Sequence, residues 1–163
     1  MSDLPIRVPF DEQQWLEDYS AFRGRPITLR YWPIRGLLRR DRLFGFLLLC
    51  PDFPHDQMYV ERDTRRQHQQ LIILHECAHD LLNHPGDPLP PALTARLGLP
   101  AGGTIRSAFR RGPRRNWQEF EAETVARLIL LRVGSTASLL AAVGPEADRV
   151  LELTSYLEDI IGG

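Results

Sequence analysis

Lysine is missing altogether from this 163-residue chain: all 20 basic residues are arginine. We read that as a compositional bias with no chemistry attached. The 21 acidic residues bring the net charge to −1, so no global positive charge points to nucleic acid or an anionic membrane surface. Cysteine is scarce as well. Cys50 and Cys77 are the only two, which excludes a disulfide scaffold and fits a reducing, cytoplasmic setting. No apolar run is long enough to cross a bilayer, the longest being Leu43 to Cys50. The stretch Met1 to Phe10 is poor in apolar residues and carries Asp3, so it does not read as a secretory leader. No internal repeat is visible. What is left is one cytoplasmic domain over residues 1–163, with enough apolar content to bury a core.

The densest signal is His75-Glu76-Cys77-Ala78-His79, at the end of the apolar block Leu71 to Leu74. Residues four apart on a helix stand one above the other, so both imidazoles can reach one metal ion from the same face. Glu76 falls about 100° round the helix from His75, beside such a metal and not on it. A carboxylate there can act as general base toward water, the role this spacing has in zinc hydrolases. A helix apolar on nearly every side belongs in a core, where two histidines and a glutamate without partners would be costly. Thr64 and Gln67 fit a capping box at its start, and Pro85-Gly86 marks its end. Cys77 lies about 200° from His75 and reads as a small packed hydrophobe. His55, His68 and His84 are not expected to be ligands. His68 is about 10 Å along the helix from His75, and His84, five residues past His79, points elsewhere.

Two histidines leave a catalytic zinc site one protein ligand short. Asn116 to about Val133 reads as a second helix, on which Glu119, Ala122 and Ala126 share a stripe at i, i+3 and i+7. The alanines would let this helix pack closely and bring Glu119 to the metal. Glu123, one turn further on, could hydrogen-bond a ligand histidine from behind. Glu121 lies on the other edge of the apolar face and competes with Glu119 as the third ligand.

Around these two helices the chain reads as α+β: a small, mainly antiparallel sheet packed on a zincin-like active-site helix, with further helices. Asp11 to Phe22 is a first helix stopped by Gly24, and Pro26–Trp32, Leu43–Cys50 and Gln57–Glu61 are strands. Tyr59 reads as core in preference to cleft. Residues 85–115 are rich in proline and glycine and read as a loop, with one short helix over Pro91–Leu97. Arg106, Arg110, Arg111, Arg114 and Arg115 gather at its end, either as a solvated loop or as a mobile lid. Pro145 to Ile161 is a C-terminal helix whose apolar face holds Val150, Leu151, Thr154, Leu157 and Ile161.

The stretches Gln69 to His84 and Glu119 to Ala126 together resemble the ImmA/IrrE family of zinc metallopeptidases, with a weaker echo in Leu43–Leu49 and Gln57–Val60. The likeness covers roughly residues 26–133, leaving 134–163 as a C-terminal helical extension. It departs from the family's pattern at Leu128 to Gly134, where the family often ends an apolar stretch with proline. The resemblance implies Zn²⁺ held by His75, His79 and Glu119, and it favours Glu119 over Glu121. It implies Glu76 as the catalytic base, and limited proteolysis of a protein partner, a helix-turn-helix DNA-binding repressor. Two other readings stay open on the residues alone. One is a non-proteolytic partner in a toxin–antitoxin type pair. The other is a nucleic-acid binder working through the arginine-rich loop, which the lack of interleaved aromatics and the slightly acidic chain disfavour.

Overall fold

A computed structural model describes residues 3–34, 43–99, 102–106, 113–133 and 147–161, apart from the side chains of 113–116, 147, 148, 150 and 151. The first helix, α1 (Glu12–Arg23), begins where the Asp11 carboxylate accepts from the Gln14 N–H at 2.9 Å. It ends at Gly24, whose φ of 72° suits the left-handed turn that closes a helix. Its buried face, Trp15, Leu16 and Tyr19, packs into the core beside strand β1 (Ile27–Trp32). Then come β2 (Gly45–Leu49) and β3 (Asp56–Glu61), followed by helix α2 (Arg66–Leu81), which carries the histidines.

The segment expected to be loop is more ordered than its composition suggests. It holds strand β4 (Asp87–Pro88), helix α3 (Pro91–Leu97), as expected, and strand β5 (Thr104–Ile105). Two long helices complete the chain, α4 (Pro113–Arg132) and α5 (Ala147–Ile161). Among the described residues no helix is long and apolar enough to cross a membrane.

The sheet runs β1-β3-β2-β5-β4 and is mixed. Its β2–β3, β2–β5 and β4–β5 pairs are antiparallel, which fits a mainly antiparallel sheet although β4 and β5 were not expected, but β1 lies parallel to β3, with Ile27 opposite Asp56 and Trp32 opposite Glu61. The parallel pair was not legible because β3 inserts between β1 and β2, so these two strands, consecutive in sequence, are not neighbours. Both faces of the sheet are covered. Leu47, Met58 and Val60 face a core shared with α1, α2, α4 and α5, to which α5 contributes Leu153, Leu157 and Ile160. Phe46, Leu48 and Tyr59 alternate with them and face a second core with Leu89, Leu93 and Ile105. Tyr59 is thus a core residue, stacked on Phe46 at 4.9 Å. Of the expected apolar face of α5, Leu157 is buried and Ile161 packs on the core, Leu153 and Ile160 are buried beside them, and Val150 and Leu151 lie outside the described side chains.

Two features tie α2 to the rest of the fold. A Cβ placed on Gly45 would come within 2.3 Å of Ile72 Cγ2, so α2 rests on bare backbone there. An ionic clamp holds the other side. The Asp56 carboxylate, 1 % exposed, accepts from Arg23 and Arg25 at 2.8 Å each and from the Cys50 N–H at 3.0 Å. Arg23 also reaches Asp80 of α2 at 2.9 Å, and the Tyr19 hydroxyl donates to the same carboxylate at 2.9 Å.

The two ends of α2 differ from the sequence reading. The helix starts after Arg65 with no side-chain cap, and Thr64 pairs with the His68 ring at 2.9 Å where a capping box was expected. It ends at Leu81, before Pro85-Gly86. The Asn83 N–H donates to the Asp80 carbonyl and the His84 N–H to the His79 carbonyl, and Asn83 has φ 53°. This is a Schellman closure with asparagine in the left-handed position.

Candidate metal centre

Helices α2 and α4 pack face to face, and small residues make the approach close. Ala78 on α2 and Ala122 and Ala126 on α4 are all buried in the shared core. The stripe Glu119, Ala122, Ala126 therefore faces α2 and delivers Glu119 to the histidines. The Nε2 atoms of His75 and His79 lie 3.1 Å apart. Glu119 Oε2 is 3.2 Å from the first and Oε1 is 3.2 Å from the second. Two donors each about 2.05 Å from a tetrahedral zinc ion would stand about 3.3 Å apart, so the three groups already have the separations of ligands on one ion. Glu119 Oε1 is buried and, though near His79, has no aligned hydrogen bond. A buried carboxylate oxygen without a hydrogen bond, beside two imidazole nitrogens, is what a cation would satisfy. Among the described residues this is the one group of three or more such side chains that could hold a metal ion.

The electrostatics carry the same imprint. Burial lowers the affinity of His75 for a proton, but hydrogen bonds to Glu119 and Glu123 and the nearby charge of Glu76 outweigh it and raise its pKa to about 10. Burial likewise opposes ionisation of Glu119, yet the two histidines hold its carboxyl far below the usual range. Both shifts favour a positive charge among these groups. Glu123 sits behind His75, its Oε2 3.5 Å from Nδ1. Its carboxyl is lowered by the His75 hydrogen bond first, with burial opposing and Arg127 adding to the effect. The role expected for Glu123, behind a ligand histidine, fits this position.

Glu76 is 4 % exposed, on α2 above β2, and a Cβ on Gly45 would come within 3.8 Å of its Cγ. It is not among the three converging donors. Cys77 points into the core, where burial pushes its thiol pKa up, as a packed and unreactive sulfur should behave.

Two expectations need correction. His84 does not point away from the site: it is 5 % exposed and its Nδ1 lies 2.9 Å from His79 Nδ1. Glu121 does not compete for the metal position. Its Oε2 is 2.8 Å from His84 Nε2, and its Oε1 accepts from Arg149 Nε of α5 at 2.8 Å. Burial lowers the pKa of His84, against the opposing pull of Glu121, and so favours the neutral ring. Of the arginine cluster, Arg106 turns inward to donate to the His84 carbonyl, with its Nε 3.6 Å from Asp80. Arg110 and Arg111 and the side chains of Arg114 and Arg115 lie outside the described residues.

Comparison of the chain with protein-family models, with curated proteins and with solved structures returns no match.

Proposed function

We propose that this protein is a zinc metalloendopeptidase that cuts a protein partner at a limited number of sites, as the likeness to the ImmA/IrrE family implies. The observation that supports this most is the convergence of His75, His79 and Glu119, two imidazoles and one carboxylate within 4.8 Å of one another. Three protein donors suit a catalytic zinc site, which keeps one position open, whereas structural sites are usually closed by four. Bound there, zinc would supply Lewis acidity, polarising a peptide carbonyl and making water more acidic.

The chain's own residues do the rest. Glu76 accepts the proton of the attacking water and returns it to the leaving amine as the tetrahedral carbon collapses. Its position one residue along from His75 places it at the edge of the donor group and out of the ligand set. Burial keeps bulk water from competing for its carboxylate. Glu119 and Glu123 supply negative charge that balances a dication. The family resemblance makes a helix-turn-helix repressor the substrate to try first, in a cytoplasmic setting.

The test separates binding from chemistry. Glu76→Gln should retain zinc and fold but lose about 10² to 10⁴ in cleavage rate on a repressor that the wild-type protein cuts. His75→Ala with His79→Ala should lose zinc altogether, read by elemental analysis. If Glu76→Gln inactivates the partner as well as wild type does, binding and not proteolysis is the function.

A further inference from the structure

Behind His79 lies a chain of groups that the reaction does not use: His84, then Glu121, then Arg149. It is built from three separate elements, the Schellman turn after α2, helix α4 and helix α5. The links are 2.9 Å from His79 Nδ1 to His84 Nδ1, 2.8 Å from His84 Nε2 to Glu121 Oε2, and 2.8 Å from Arg149 Nε to Glu121 Oε1. His79, His84 and Glu121 are each less than a tenth exposed.

With the His79 Nε2 lone pair given to a metal, only one proton arrangement satisfies every link. An ionised carboxylate can only accept, and Glu121 has Arg149 on its other oxygen, so His84 Nε2 must carry the hydrogen. A metal on His79 Nε2 leaves that ring's hydrogen on Nδ1, 2.9 Å from His84 Nδ1, which must therefore accept it. The His79 Nε2 lone pair then faces His75 and Glu119. The reverse arrangement would set a lone pair of His84 against the Glu121 carboxylate and a hydrogen of His79 where the metal belongs.

We infer that His84 and Glu121 are positioning residues that lock His79 in its metal-binding tautomer, with Arg149 of α5 anchoring the far end of the chain. The inference rests on the proposal that His75, His79 and Glu119 hold zinc. It gives α5 a role beyond closing the core, since a helix remote from the donors fixes the orientation of one of them. Groups behind a ligand histidine of this kind typically change metal affinity 10- to 100-fold when removed.

The test uses the full chain and Zn²⁺ itself. In zinc-loaded wild type, long-range ¹H–¹⁵N correlation should find the hydrogen of His79 on Nδ1 and that of His84 on Nε2. A hydrogen on His84 Nδ1 overturns the inference. In parallel, His84→Leu should weaken zinc binding about 10- to 100-fold, measured by competition with a chromophoric chelator. His84→Asn should regain most of that loss, because the asparagine Oδ1 stands where the histidine Nδ1 stood and can accept from His79. Melting of the metal-free variants controls for packing. Unchanged affinity in His84→Leu, or equal loss in both variants with equally lowered melting, overturns the inference while leaving the metal site intact. If wild-type protein binds no zinc, the metallopeptidase reading fails first and the inference falls with it.

Discussion

At Gly45 the sheet packs tightly against α2, the helix that carries His75 and His79, and a single methyl group there should be costly. An added Cβ would lie 2.3 Å from Ile72 Cγ2 and 3.0 Å from the Tyr59 carbonyl oxygen. Carbon atoms pack at about 3.5 to 4.0 Å, so roughly 1.2 to 1.7 Å must be found between β2 and α2. Ile72 cannot yield by turning, because a β-branched side chain in a helix has essentially one χ1 rotamer. Nor can the carbonyl, which belongs to a strand paired on both sides. Overpacking of this kind costs about 1 to 3 kcal/mol. The gain from replacing a strand glycine by alanine, about 0.5 to 1 kcal/mol, offsets part of it. Gly45→Ala should therefore destabilise by about 1 to 2 kcal/mol. At this chain length that lowers the melting temperature by about 2 to 8 °C.

The attribution to Ile72 can be isolated with a double-mutant cycle, read by urea unfolding of chelator-treated protein. Ile72→Ala alone removes a buried side chain, 6 % exposed, and should cost about 2 to 5 kcal/mol. In that background the Cγ2 is gone and only the 3.0 Å approach to the Tyr59 carbonyl remains, so Gly45→Ala should cost little, the gain of about 0.5 to 1 kcal/mol over glycine offsetting most of what is left. The two changes together should thus be less harmful than their sum by about 1 kcal/mol or more. Additivity to within about 0.5 kcal/mol would refute the reasoning, since the close approach of Ile72 to Gly45 would then not be what limits position 45.

The remaining expectations concern charge. Glu119→Gln should strip zinc far more than Glu121→Gln, whose effect through His84 should stay within about 10- to 100-fold; elemental analysis of both variants decides, and the opposite order would make Glu121 the ligand. In the metal-free chain His75 holds its proton to about pH 10, well above its ordinary value of 6.5, so its contribution to stability is complete below about 6.5 and is lost as pH rises through 10. Melting of chelated protein should therefore fall between pH 7 and 10, and saturating zinc should flatten that fall; a flat chelated profile would contradict the assignment. Asp56→Asn should cost about 3 to 5 kcal/mol, because it leaves Arg23 and Arg25 facing an uncharged buried group. The Asp56 carboxyl is held below its ordinary range by the Cys50 N–H and both arginines, against burial. Its contribution is thus present above about pH 4 and lost on acidification through its lower folded value, so wild type and Asp56→Asn should converge in stability in strong acid.

Periodicity and turn chemistry made the helices legible. Asp11 and Gly24 bracket α1 as N-cap and C-cap residues, and Pro91 at the start of α3 and Gly98 after it bracket that helix. The spacing of Glu119, Ala122 and Ala126 pointed to the face that meets α2, because alanine is what lets two helices approach. Strand neighbourhoods were not legible. A run such as Ile27–Trp32 shows that it is extended, but nothing local in it encodes a parallel partner as distant as Asp56–Glu61. Strands β4 and β5 were invisible for another reason. Two residues each, one of them Pro88, have no alternation to read; β5 forms by pairing Ile105 with Leu48 of β2, and β4 by pairing in turn with β5 at the sheet edge.

His84 is the instructive omission. Continuing α2 to Pro85 would turn residue 84 away from residue 79, and the helix geometry then excludes it from the site. The chain instead leaves the helix at Leu81 and reverses at Asn83, and the His84 N–H closes on the His79 carbonyl. A Schellman closure brings its last residue back over the final turn, so the side chain of His84 returns to the ring of His79. A signal for this was present in Leu82-Asn83-His84-Pro85: asparagine is the residue other than glycine that most readily takes the left-handed position, and a proline shortly after forbids continuation. Glu121 offered a second signal. A carboxylate on the apolar edge of α4 must find a partner when buried, and neither His75 nor His79 had an Nε2 to spare for it once Glu119 was in place. The histidine after the helix was the remaining base within reach, and the arginine that completes the pair comes from α5, which local sequence could not place.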